Sequence, residues 1–156
     1  MLSIGQNAPM FALPDADMQL VDIAQYRNAS NIVLFFYPKN GSLGCTLEAT
    51  DFSDYENEFE KQQCIVIGIS RDDCLSHAEF RDKHGISVTL LSDSEGAVCK
   101  QYGVWQAKNV GGIRRFGIIR STFIIDKQGI LRLVLYGANA KRHASEVLSA
   151  VKEMSL

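Results

Sequence analysis

Cys45 is the side chain in this chain best placed to do chemistry. It stands one residue after Gly44, three after Ser42 and seven after Pro38, in the stretch NIVLFFYPKNGSLGCTLEATD. A helical pattern begins at Thr46, so Cys45 falls in the first turn of a helix. There, unpaired backbone N–H groups and the positive end of the helix dipole favour a thiolate over a thiol, and the thiolate is the nucleophilic form of cysteine. The ordinary fate of a single cysteine is to pack as a small hydrophobe. Position favours the reactive reading, because a packing residue gains nothing from a glycine before it and a hydroxyl three residues earlier.

The elements that must hold this cysteine are legible on both sides of it. Ile32 to Tyr37 is too uniformly apolar for a strand with one wet face, so it reads as a sheet interior covered on both sides. Pro38 ends the strand: it lacks the N–H a ladder needs and restricts Tyr37 to extended geometry. Lys39 to Ser42 is turn chemistry, and Gly44 is expected to let the backbone bend before the cysteine. After Thr46 the apolar residues Leu47, Phe52, Tyr55 and Phe59 fall near one helix side. Glu48, Asp51, Asp54, Glu56 and Glu58 fall mostly on the other.

The rest of the chain reads as a succession of strands and helices. Phe11 to Leu13 and Gln19 to Val21 flank a turn at Pro14 to Asp17, predicting a hairpin, and Asp22 reads as the cap of a short helix through Tyr26. Ile65 to Ser70 is a second buried strand. Asp72 or Asp73 then caps a helix to about Lys83, with Leu75 and Ala78 on one side and Phe80 pointing elsewhere with His77 and His84. Ser87 to Leu91 is a further strand, and Ser92 to Ser94 caps a short helix through Tyr102. Gln106 to Phe116 shows no period and contains Gly111-Gly112, so an exposed loop is expected. Thr122 to Ile125 and Leu131 to Leu135 enclose a turn, and Lys141 to Met154 carries Ala144, Val147, Leu148 and Val151 on one helical face.

Composition limits the partners. With 156 residues the chain suffices for one domain, spanning 1–156, that buries about 70% of its unfolded surface. A formal charge of −2, with 46% hydrophobic and 22% charged residues, gives no electrostatic reason to expect nucleic acid or an anionic membrane. No apolar run approaches the roughly 18 residues of a membrane span, and no secretory signal pattern is visible, so a cytoplasmic location is expected. The cysteines at 45, 64, 74 and 99 form no CxxC, and the histidines at 77, 84 and 143 form no pair at metal-site spacing. Neither a metal nor another cofactor is expected.

Taken together, the motifs resemble a known family. Pro38, three residues, Ser42, two residues, Cys45 matches the active-site pattern of the peroxiredoxins, and FYPKNGSLGCTLEATDF is similar to the bacterioferritin comigratory protein, or peroxiredoxin Q, branch. The likeness runs from the GQxAPxFxLP stretch at Gly5 to Pro14 through GISRD, LLSD, YGVW and GIIRSTFIIDKQG to the last helix. It implies a thioredoxin-like α/β sandwich with an N-terminal β-hairpin extension, in which the strands ending at Tyr37 and Ser70 are parallel neighbours and active groups gather at their carboxyl ends. It implies a thiol-dependent peroxidase in which Cys45 attacks a hydroperoxide and becomes a sulfenic acid. Ser42, the Cys45 N–H and Arg120 would be the donors to the peroxide, and Pro38 and Gly44 would shape the pocket. Glu48 would hydrogen-bond Arg120 or a neighbouring backbone group, or stand as a solvated helix carboxylate, a comparable alternative.

The chain departs from that branch in two places. Many members carry Thr-Pro where this chain has Ser42-Leu43. The two familiar positions of a resolving cysteine are occupied by Thr50 and Arg81. Cys74, after the adjacent strand and at the same sheet edge, is then the resolving candidate, against a one-cysteine mechanism reset by an external thiol such as thioredoxin or glutaredoxin. Cys64 and Cys99 read as inert. A thiol-based peroxide sensor of the same fold is the alternative reading. A disulfide reductase would need a CxxC, and a binding module would not need Ser42, Cys45 and Arg120 together. A monomer is expected for this branch.

Overall fold

The computed structural model describes all 156 residues, Met1–Leu156. A short hairpin opens the chain, β1 (Ala12–Pro14) with β2 (Leu20–Asp22), followed by a 3-10 turn over Ile23–Tyr26 whose first free N–H, on Ala24, is accepted by the Asp22 carboxylate at 2.9 Å. The chain then runs through β3 (Asn31–Phe36), α1 (Leu43–Asp54), α2 (Glu56–Lys61), β4 (Cys64–Ser70), α3 (Cys74–His84), β5 (Thr89–Ser92) and α4 (Ala97–Gln101). It finishes with β6 (Trp105–Val110), β7 (Ile113–Ile118), β8 (Ser121–Ile125), β9 (Leu131–Tyr136) and α5 (His143–Met154).

Five strands make the central sheet in the order β5-β4-β3-β8-β9, with β3, β4 and β5 parallel and β8 and β9 antiparallel. β3 lies in the middle, and every one of its residues is buried. Its side chains alternate between two cores, as strand geometry requires. Val33 and Phe35, with Tyr37 after the strand, pack on α1, α2, α3 and α5, while Ile32, Leu34 and Phe36 pack on α4, the N-terminal segment and Phe123. Helices thus cover both faces, which is why the β3 sequence could be apolar from Ile32 onward. Phe35 stacks on Phe52 of α1 with ring centroids 4.6 Å apart. Opposite it in β4 is Gly68, where an added Cβ would come within 2.6 Å of the Phe35 ring. This stack fixes α1 over the carboxyl end of the sheet.

Two expectations are corrected, and the buried side of α3, left open by the sequence, is settled. Residues 106–116 are not a loop: β6 and β7 form an antiparallel hairpin whose Gly111 and Gly112 both take positive φ, as a tight two-residue turn demands. The hairpin pairs only with itself and is wet on much of both faces, so it leaves no alternation to read. On α3 the buried residues are His77 and Phe80, whereas Leu75 is exposed. Phe80 wins the inner face because it reaches Tyr37, with ring centroids 6.4 Å apart. The helical pattern after Cys45 is two helices, broken at Tyr55, and Leu47 lies outside while Glu48 is wholly buried.

Candidate active site

The loop leaving β3 brings Ser42 to the start of α1 in extended conformation, and its Oγ accepts the Cys45 N–H at 3.3 Å. Ser42 is therefore the helix cap. Its hydroxyl proton remains available to a second acceptor, since a hydroxyl both donates and accepts. Cys45 is the third residue of the helix, and no part of it is exposed. Leu43 occupies the first helical position and points into solvent.

Arg120 arrives from the far side of β3, in the short link between β7 and β8. Its carbonyl accepts the Ala138 N–H at 2.7 Å, which anchors the backbone. Its Nη2 lies 3.3 Å from Cys45 Sγ, and its Nη1 donates to Glu48 Oε1 at 2.6 Å. The guanidinium fork thus holds the sulfur with one arm and a buried carboxylate with the other. Gly44 has a different purpose from the backbone bend expected of it. It is helical, without positive φ, and a Cβ there would lie 3.2 Å from Arg120 Nη2. Its missing side chain is the lane through which Arg120 reaches Cys45.

Glu48 follows Cys45 by three residues, so both point inward from one helix face. Burial pushes its carboxyl up to about 7 although Arg120 pulls the other way, and Oε2 has no hydrogen-bond partner. For Arg120 itself burial acts downward, but Glu48 and Cys45 outweigh it and raise the guanidinium further. The solvated-carboxylate alternative for Glu48 is thereby excluded. The amphipathic pattern hid it, because a glutamate on an apolar face is buried only when a partner from elsewhere in the chain meets it.

A second cluster ties this loop to α3. Asn40 donates its backbone N–H to Asp72 Oδ2 at 2.8 Å, and its side-chain amide to Ser76 Oγ at 3.0 Å and His77 Nδ1 at 3.1 Å. Tyr37 donates to Asn40 Oδ1 at 2.7 Å, and His77 Nε2 must donate to the Leu91 carbonyl, which can only accept. Burial lowers the His77 pKa, in keeping with this neutral ring. Cys74, partly exposed, opens α3 beside this cluster.

Thr50 carries no thiol and donates back to the Thr46 carbonyl at 2.8 Å, and Arg81 is paired with Asp17 and Asp82, each at 3.0 Å. Burial pushes the Cys64 thiol up to about 11 and the Cys99 thiol further still, which suits packing residues. No group of three or more His, Cys, Asp or Glu side chains converges as a metal would require, and no helix is long and apolar enough to cross a membrane. Pro38 is half-buried and lines a cavity of about 390 Å³ shared with Trp105, Lys108 and Ile118.

Residues 4–134 match the model of the AhpC/TSA family. The chain belongs to this family of peroxiredoxins. Among its relatives, a putative peroxiredoxin bcp of Helicobacter pylori is 40% identical over 96% of this chain and 98% of its own. The peroxiredoxin Bcp of Bacillus subtilis is 38% identical over 99% and 98%. The bacterioferritin comigratory protein of Xanthomonas campestris, a structure concerned with alkyl peroxide reduction, superimposes with a TM-score of 0.88 at 31% identity, covering 94% of this chain and 92% of that one. The fold is accordingly the thioredoxin-like α/β sandwich, and the chain is a thiol-dependent peroxidase that takes a peroxide substrate and a thiol reductant.

Proposed function

We propose that this peroxiredoxin reduces hydrogen peroxide and organic hydroperoxides at Cys45, with Ser42 and Arg120 as the groups that stabilise the transferring oxygen. The observation that carries the assignment is the Arg120 fork, 3.3 Å from Cys45 Sγ on one arm and 2.6 Å from Glu48 on the other. The sulfur attacks the terminal peroxide oxygen, the O–O bond breaks, and the sulfur is oxidised by two electrons to sulfenic acid. The leaving oxygen departs as hydroxide or alkoxide and takes a proton from solvent. Charge developing on the two oxygens falls where Ser42 O–H, the Cys45 N–H and Arg120 can donate, and preorganised donors need no reorientation at that moment. Pro38 and Gly44 act by shape, Pro38 walling off water and Gly44 admitting the guanidinium.

Cys74 is the proposed resolving thiol. It opens the helix after the strand adjacent to β3, and the Asn40 cluster joins the two helix starts. A Cys45 to Cys74 disulfide requires Cα atoms within roughly 7 Å, and unwinding of the first turn of α1 is the proposed movement that releases the buried Cys45 towards the partly exposed Cys74. Thioredoxin or a similar dithiol would then reduce it. The enzyme is read as a cytoplasmic monomer, since four cysteines without paired spacing suit a reducing compartment. Size-exclusion chromatography checks the monomer.

Mass spectrometry after one equivalent of hydrogen peroxide tests the scheme. A disulfide mapped to Cys45 and Cys74 is expected. A sulfenic acid on Cys45 with no disulfide would replace resolution by Cys74 with direct reduction by an external thiol, and oxidation confined to another cysteine would overturn the assignment of Cys45.

A further inference from the structure

The start of α1 is fastened firmly on either side and lightly in between. Downstream, the helix is fixed to the body of the protein: Phe52 stacks on Phe35, and Ser53 Oγ accepts the Ser87 N–H at 3.0 Å. In between, Cys45 alone among residues 41–47 is buried, and Leu43 and Leu47 are 89% and 46% exposed. The turn itself is closed by Ser42, whose carbonyl accepts the Thr46 N–H at 2.9 Å and whose Oγ accepts the Cys45 N–H. A segment with so few apolar contacts belongs to the least stable part of a fold. Upstream, the attachment is polar and gathered on one residue, Asn40. Its amide donates to Ser76 Oγ at 3.0 Å and His77 Nδ1 at 3.1 Å, its backbone N–H donates to Asp72 Oδ2 at 2.8 Å, and its Oδ1 accepts from Tyr37. His77 is wholly buried and matched to this amide, because Nε2 donates to the Leu91 carbonyl and leaves Nδ1 as the acceptor. Gly41 follows with φ of 86° and open space around it, a free joint between Asn40 and the cap at Ser42. Cys74 stands three residues before His77, on the same side of α3.

We propose that Asn40 is a latch: closed on Ser76 and His77, it keeps the first turn of α1 wound with Cys45 beside Arg120, and its release lets that turn open so that oxidised Cys45 meets Cys74. Its effect on turnover rests on the reading of Cys74 as the resolving thiol. Peroxide reduction needs Cys45 in its pocket, with Arg120 3.3 Å from the sulfur, whereas resolution needs Cys45 outside it. Once it is outside, the Cys74 sulfur attacks the sulfenic sulfur, the S–S bond forms, the S–O bond breaks, and the oxygen leaves as water with the Cys74 proton. A sulfenic acid that stays in the pocket instead meets a second peroxide and becomes sulfinic acid. The latch therefore sets how long Cys45 is exposed to that second oxidation. Asn40 makes its bonds to α3 and to Tyr37 rather than to the sulfur, so it is a positioning residue.

Amide hydrogen exchange of the reduced protein tests the latch without any peroxide. In Asn40→Ala the Cys45 and Thr46 N–H groups should exchange about tenfold faster than in the wild type, as loss of hydrogen bonds that hold only the closed turn would give. Ser76→Ala, which removes one of the two amide partners and suits a helix, should show a smaller increase at the same two amides. Amides of β3 and β4 should exchange at the wild-type rate in both variants. After one equivalent of hydrogen peroxide, the Cys45 to Cys74 disulfide should form about tenfold faster in Asn40→Ala, and excess peroxide should leave less sulfinic acid on Cys45 by mass spectrometry. A residue that merely supported the fold would not speed the resolving step. Unchanged exchange at Cys45 and Thr46 in both variants overturns the latch, and so does an increase shared equally by β3 and β4. Faster exchange confined to the turn, with no Cys45 to Cys74 disulfide in either protein, upholds the latch and overturns Cys74 as the resolving thiol.

Discussion

Two helices of this protein start in nearly the same way, and only one of them has a guanidinium beside its cysteine. α1 follows β3 and α3 follows β4, two parallel neighbours in the sheet, so both helix starts lie at the same carboxyl edge. Each is capped by a side chain, Ser42 accepting from Cys45 N and Asp73 accepting from Ser76 N, and each has a cysteine in its first turn. Cys45 is wholly buried with Arg120 3.3 Å from its sulfur, whereas Cys74 is partly exposed, flanked in sequence by Asp72 and Asp73, and without a guanidinium. The helix dipole is common to both and cannot be what separates them. What differs is the arrival of a third segment, the link between β7 and β8, at one helix start and not at the other.

The most severe way to break the comparison is to remove the sulfur that has the donors. Cys45→Ser should abolish peroxide consumption with the fold intact, because a serine hydroxyl there is not ionised near neutral pH. Consumption near the wild-type rate, followed by loss of peroxide absorbance or a coupled assay, would give the reaction to another cysteine. Next in size, Arg120→Ala and Ser42→Ala should each slow the oxidation step by about 10² in stopped-flow measurements, the usual cost of a preorganised donor. Arg120→Lys should recover only part of it, since a point charge cannot hold Cys45 and Glu48 with separate arms.

Glu48→Gln tests whether the buried carboxylate positions Arg120, and about a tenfold loss in the oxidation rate is expected from a guanidinium allowed to drift. The same variant has a signature in stability. The folded Glu48 carboxyl titrates at about 7 against an ordinary 4.5, so folding takes up a proton between these values. Stability from this group is therefore fully present below about pH 4.5 and is lost as pH rises through 7. Urea midpoints between pH 5 and 8 should show that slope, on the order of 2 kcal/mol, in the wild type and not in Glu48→Gln. Equal slopes would place the titration elsewhere.

Gly44→Ala should cost a fewfold in oxidation rate with little loss of stability, because the new Cβ meets Arg120 Nη2 at 3.2 Å and that side chain can yield by a few tenths of an ångström. The smallest effect on the first step belongs to Cys74→Ser. Its sulfenic acid should form at the wild-type rate, while turnover with thioredoxin falls and over-oxidation of Cys45 becomes visible by mass spectrometry. Normal turnover with thioredoxin in that variant would make Cys74 an ordinary helix-start residue.

Local order along the chain made much of this site legible in advance. The all-apolar run at Ile32 to Tyr37, the proline that stops it and the hydroxyl at Ser42 are each short-range signals, and together they placed Cys45 in a first turn at the edge of a sheet buried on both faces. Asp22 as cap and Asp73 as one of two cap candidates are equally local, whereas Ser42 read only as a turn residue and the structure makes it the cap. The position of Arg120 came from the motif GIIRSTFIID and its resemblance, since no periodicity distinguishes an arginine beside a strand from one in a pocket. The β6–β7 hairpin escaped because a two-stranded ribbon open to water on much of both faces has no apolar alternation, and its Gly111-Gly112 turn reads equally as loop.

Tertiary structure alone decided the surroundings of Glu48, Gly44 and Lys108. A glutamate among helix residues is by default solvated, and only a guanidinium brought 72 residues along the chain to 2.6 Å makes its burial tolerable. Gly44 looked like a bend because its need is steric and its neighbour, Arg120, is remote in sequence. Lys108 had no reading at all until β6 and β7 paired and set it beside Pro38 and Trp105. By itself the sequence determined which residue is the candidate nucleophile and where its helix begins, because caps, turns and buried strands are set by neighbours within a few residues. The charges that surround the sulfur were decided by chain crossings, because electrostatic partners are selected by distance in space and leave no periodic trace along the chain.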